Sequence, residues 1–122
     1  MAIPNQDPKV VTDNYDPAWG IWSKTCQMLK AAGNGNGPWV DIRTLKSFTI
    51  QHTGTFGGAS VQLKVTNHPD PVNDTNESGF ALGAAVTSAS MSAVMSGPYR
   101  FARVEVTGGT GNAINSILHG VS

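Results

Sequence analysis

The chain has 122 residues, of which 13% are charged, and eight Lys plus Arg balance eight Asp plus Glu. That length fits one domain. The lack of a basic stripe excludes phosphate-driven nucleic-acid binding, and no apolar run reaches the ~20 residues of a membrane-spanning helix. Fourteen glycines and few charges predict a neutral, polar surface, which suits a protein packed against neighbours.

Residues 1–19 read as an extended arm. Pro4, Pro8 and Pro17 remove backbone donors and push the preceding residues toward extended geometry. The arm lacks the basic start and apolar stretch of a signal peptide. It still carries Ile3, Val10, Val11, Tyr15 and Trp19, so it needs a partner surface, either the flank of its own domain or another chain.

The domain proper is expected over 20–122. Trp22 to Ala32 reads as its first strand and contains Cys26, the single cysteine, expected as a buried, inert thiol. The run Gly33-Asn-Gly-Asn-Gly-Pro38 reads as irregular turn. Trp39 to Arg43 makes a short second strand. Leu45 to His52 alternates, with Phe48 and Ile50 on one side and Ser47, Thr49 and Gln51 on the other. After a turn at 53–58, Ala59 to Asn67 alternates again, with Val61, Leu63 and Val65 inward.

His68 to Gly79 reads as a polar loop. Its His68, Asp70, Asn73, Asp74 and Glu77 invite a calcium reading, but the alternating ligand spacing and central glycine of a calcium loop are missing. Residues 80–95 fit two short strands joined near Thr87 and Ser88 better than a short helix, anchored by Leu82, Val86, Met91, Val94 and Met95. Tyr99 to Thr107 alternates, with Ala102, Val104 and Val106 on one face. Gly108 to Asn112 turns the chain, and Ala113 to Val121 is the last strand. About eight short strands between Gly-rich turns predict an all-β protein, an antiparallel β-sandwich.

Catalytic patterns are missing. The three histidines (His52, His68, His119) lack ligand spacing and are expected on strand surfaces or loops. No Gly-x-Ser-x-Gly elbow occurs. The glycine runs at 33–37 and 108–111 are not followed by the Lys-Ser/Thr of a phosphate loop. The expectation is a non-enzymatic chain without metal or cofactor.

Two stretches carry a resemblance. Phe48-Thr-Ile-Gln-His-Thr-Gly-Thr-Phe-Gly-Gly-Ala-Ser-Val-Gln-Leu-Lys-Val-Thr-Asn67 resembles a hairpin of small tailed-bacteriophage virion proteins. Gly97-Pro-Tyr-Arg-Phe-Ala-Arg-Val-Glu-Val-Thr-Gly-Gly-Thr-Gly111 resembles their final hairpin. Together they are similar to the jelly-roll-like capsid cement, or decoration, proteins. Asn67-His-Pro-Asp70 departs from the Ser-Asx-Asp-Gly turn usual there. The resemblance implies a jelly-roll-type sandwich on the capsid exterior, assembled in the host cytoplasm. It also implies bridging of neighbouring major capsid protein subunits and self-association as a dimer or trimer. Trp22, Trp39, Arg100 and Arg103 join the five apolar arm residues as the expected protein interface. The alternative is a tail-fibre or receptor-binding module recognising host glycan, with Trp39 beside the 33–37 loop as its aromatic platform.

Overall fold

The computed structural model describes residues 9–16, 18 and 20–122, with side chains described from residue 18 onward except at position 19. Eleven strands form two antiparallel sheets, and the one helical element among the described residues is a 3-10 turn at Pro71–Asn73. The strands are β1 (Lys9–Asp16), β2 (Ile21–Ala32), β3 (Gly35–Asn36), β4 (Val40–Asp41), β5 (Ser47–Thr55) and β6 (Ser60–Thr66). The remainder are β7 (Phe80–Ala81), β8 (Ser90–Met91), β9 (Met95–Ser96), β10 (Phe101–Thr107) and β11 (Ala113–Val121).

One sheet runs β1-β2-β11-β5-β8, with β9 also on β5. The other runs β3-β10-β6-β7, with β4 also on β10. Taking β3 with β4 and β8 with β9 as interrupted single strands, the chain after β1 folds as nested antiparallel pairs: β2 with β11, β3/β4 with β10, β5 with β8/β9, and β6 with β7. Those are eight strands wound as a jelly roll, in which closing the ribbon on itself covers most sheet edges.

Strands β5, β6, β10 and β11 follow their period of two, while β2 breaks it at the adjacent buried pair Met28 and Leu29. Phe48 and Ile50, Val61, Leu63 and Val65, and Ala102, Val104 and Val106 all face inward as the alternation predicts. With Met28, Leu29, Ile114 and Leu118 they fill the space between the sheets, and Cys26 is fully buried among them. Burial in an apolar core is what the Cys26 reading predicted.

Three expectations are corrected. Gly35–Asn36, inside the run taken as irregular, pairs with Val106 and Glu105 of β10. Glycine makes that approach possible: Gly37 donates to Val104 O at 2.7 Å, and a Cβ there would stand 2.9 Å from the Leu29 side chain. His52, expected on a surface or loop, is buried, because β5 runs on to Thr55 and His52 follows Phe48 and Ile50 on the inward face. Met91 and Val94, expected as core anchors, are 65% and 70% exposed. Residues 80–96 form no helix, only two-residue strands, and only Leu82, Val86 and Met95 of that stretch lean on the core.

Candidate interaction surface

Lys9–Asp16 are extended, and their backbone pairs along β2, with Val10 opposite Cys26 and Tyr15 opposite Trp22. Of the two partners open to the arm, this segment therefore takes the flank of its own domain, as an edge strand. A register shift falls between Val10 and Thr12, at Val11. Ile3 and Trp19 lie outside the described residues, and the side chains of Val10, Val11 and Tyr15 are not described. Trp22, 42% exposed, marks the end of the sandwich where its backbone exchanges hydrogen bonds with the C-terminal Ser122.

Trp39 and Arg103 meet each other. The Arg103 guanidinium lies over the Trp39 ring, 4.4 Å from its centroid, and donates to Ser78 O at 2.9 Å. Burial pulls the Arg103 pKa below its ordinary value, with Glu105 and Glu77 opposing that shift. Gly79 packs against the same indole, so Trp39 is half-buried and not an open platform. Around this pair the outer face of the β3-β10-β6 sheet is laced with charge. Lys64 pairs with Glu105 at 3.1 Å, Asp41 grips Arg43 at 2.5 Å, and Arg43 stacks over Phe101 at 5.7 Å. The Arg43 hydrogen bonds hold the Asp41 carboxyl below the usual carboxylate range.

The opposite sheet differs. On its outer face, cross-strand rows join Thr25, His119 and Thr49, then Gln27, Ile117 and Gln51, then Asn115 and Thr53. None of these eight is acidic, lysine or arginine, and the row through Gln27 ends at Lys9 on the edge strand β1. His119 Nδ1 and Thr25 Oγ1 are 2.7 Å apart.

The neutrality extends to the edge where the sheets part. Between Glu77 and Arg100 the sequence contains no charged residue and no histidine. That stretch crosses from one sheet to the other and is fixed through its backbone. Leu82 N donates to Leu63 O at 3.0 Å, Val86 exchanges two bonds with Val61, and Ser92 N donates to Ile50 O at 2.8 Å while the Ser92 hydroxyl oxygen accepts from Ile50 N at 3.0 Å. Fixed in this way, it turns Phe80 (72% exposed), Met91 and Val94 outward. Beside Met91 and Val94 a groove of about 350 Å³ opens between the sheets, lined by Ile50, Leu63, Leu82, Val86, Met91 and Met95, with His52 among its walls. The small residues Gly83, Ala84 and Ala93 leave it unfilled. An exposed apolar patch on a rigid frame is the usual mark of a contact surface. Burying each of its three large side chains on a partner is worth roughly 1.5–3 kcal/mol.

The polar loop is internally satisfied. His68 Nε2 lies 2.9 Å from Asp74 Oδ2, Asn73 donates to both Asp70 oxygens, and Thr66 bonds Glu77. Among the described residues no group of three His, Cys, Asp or Glu is arranged to hold a metal ion.

No family model matches the sequence, and no curated protein does. Solved structures do. The SPBc2 prophage-derived protein YomS superposes with a TM-score of 0.64 at 11% identity, covering 84% of this chain and 95% of that one. The K3 cleaved adhesin domain of Lys-gingipain from Porphyromonas gingivalis W83 gives 0.49 at 8% identity, covering 83% and 73%. A Bacillus endospore appendage protein gives 0.46 at 9%, covering 93% and 90%. At such identities the likeness to YomS is one of fold.

The exposed apolar edge goes beyond the sequence expectation; its signal in the sequence is the uncharged run from Ser78 to Tyr99.

Proposed function

We propose that this protein is a bacteriophage structural protein that works by contact and not by catalysis, as a cement protein on the capsid exterior. It bridges neighbouring major capsid protein subunits and stabilises the shell. The observation that carries this reading is the superposition on a prophage-derived protein over 84% of this chain and 95% of that one. The uncharged, apolar edge at 79–99 supports it, since a rigid sandwich displaying Phe80, Met91 and Val94 is suited to docking on a folded surface. Repeated on a symmetric lattice, modest contacts of this kind add up steeply.

The test is co-sedimentation with capsids of the phage encoding it, assembled without the protein. Wild type should pellet at saturable stoichiometry, and the Met91→Glu, Val94→Glu double variant should fall at least about tenfold in occupancy, the loss of one strong anchor. Wild type left in the supernatant would overturn the proposal.

A further inference from the structure

At the end of the uncharged run, where Pro98 and Tyr99 meet Arg100, the surface changes to a charged one. Three arginines lie near β4 and β10, and two are engaged. Arg43 is held by Asp41 through both carboxylate oxygens, and Arg103 is stacked on Trp39 and bonded to Ser78. Arg100 is different. Its backbone is fixed on both sides, its N–H donating to Thr66 O at 3.1 Å and its carbonyl accepting from Ile42 N at 3.0 Å. Its exposed guanidinium has no hydrogen-bond or ion-pair partner among the described residues.

This guanidinium lines a cleft of about 640 Å³ with Arg43, Asn67, Pro98 and Tyr99. No carboxylate lines that cleft. The combination is a forked donor on backbone-bonded chain just before β10, a half-buried tyrosine, an amide and a proline wall. A planar guanidinium pairs with a carboxylate through two parallel hydrogen bonds, and arginine and tyrosine are the residues on which contact surfaces concentrate their affinity.

We infer that the Arg100–Tyr99–Asn67 cleft is a docking site for an acidic segment of a partner protein, with an Asp or Glu carboxylate seated on Arg100. The complementarity is the argument. The molecule is neutral as a whole, and Arg43 in this cleft is already paired with Asp41, yet Arg100 brings a cationic donor with no counter-charge among the described residues, so an acidic loop gains pairing that they do not supply. The inference stands apart from the cement reading, because acidic-segment binding is measurable with no particle present.

The experiment is a titration of the full-length ¹⁵N-labelled chain, followed by NMR, with an N-acetylated, C-amidated hexapeptide of alternating Asp and Glu. The controls are its Asn/Gln counterpart and inorganic phosphate. Shift changes should centre on Asn67, Tyr99, Arg100 and Phe101. They should be absent with the Asn/Gln peptide and smaller with phosphate. Arg100→Gln should weaken the acidic peptide about tenfold, the scale of a hydrogen bond to a charged group. Lys30→Gln, which removes an exposed cation on β2, should leave binding unchanged. Three results would overturn the inference: no binding, equal binding of the neutral peptide or phosphate, or shifts spread over all cations and indifferent to Arg100→Gln.

Discussion

His52 on β5 and Ser116 on β11 face each other inside the sandwich, with Nδ1 2.6 Å from Oγ. Both are buried, and their backbones are paired in the register that joins the two strands. This is the polar contact of the core beside the open groove, and it ties the groove wall to the last strand. Burial favours the neutral imidazole and lowers the His52 pKa to about 4.

A pH dependence follows. The folded state holds His52 neutral down to about pH 4, while an unfolded histidine takes its proton near pH 6.5. Between those values the unfolded state binds more protons, so stability is full above about pH 6.5 and falls as pH drops toward 4. The loss is up to roughly 3 kcal/mol. Urea unfolding at pH 7.5, 5.5 and 4.5 measures it, and His52→Gln should flatten the slope over that window.

Leu118 is fully buried on β11, opposite Cys26 on one side and Ile50 on the other. Its truncation leaves a hole between three central strands that cannot collapse without moving both neighbours. Leu118→Ala should cost about 2–5 kcal/mol. Chemical denaturation reads the shift in midpoint, and a change below 1 kcal/mol would contradict the packing described.

Gly54 closes the β5–β11 rung opposite Ile114 with φ at +107°, and a Cβ built there falls 2.2 Å from Ala113 O. Alanine must leave that conformation and push the ladder apart, since the obstacle is backbone. Gly54→Ala should destabilise by about 2 kcal/mol. Gly58→Ala, also at positive φ but with open space around its Cβ, should cost less.

The Arg103–Trp39 stack is readable by fluorescence. Arg103→Ala uncovers one indole face and removes the donor to Ser78 O. Tryptophan emission should shift to the red, and stability should fall by about 1 kcal/mol. Arg103→Lys should recover only part of both effects, since an ammonium cannot lie flat on the ring.

The outward neutral edge should prove thermodynamically silent. Met91→Ser and Val94→Ser change side chains that are 65% and 70% exposed. Each should alter unfolding free energy by no more than about 0.5 kcal/mol. A large loss would mean these residues serve the core and not a partner.

Alternation along Phe48–His52, Val61–Val65 and Ala102–Val106 determined the sandwich, because a side-chain period of two leaves one buried face whatever the pairing partner. Turn chemistry at 56–58 and 108–111 set where those strands end. What the order of residues alone left open was which strand lies beside which. Gly35–Asn36 become strand only because β10 lies alongside to pair with them, and the buried His52 finds its polar partner only because β11 brings Ser116 opposite. Met91 and Val94 face outward because backbone bonds from Ser92 and Val86 hold an irregular stretch in place, with no period for side chains to follow. Local pattern fixes the face of a strand, whereas long-range hydrogen bonding decides where a chain without pattern must point. The exposed apolar edge and the Arg100 cleft both lie in chain of the second kind.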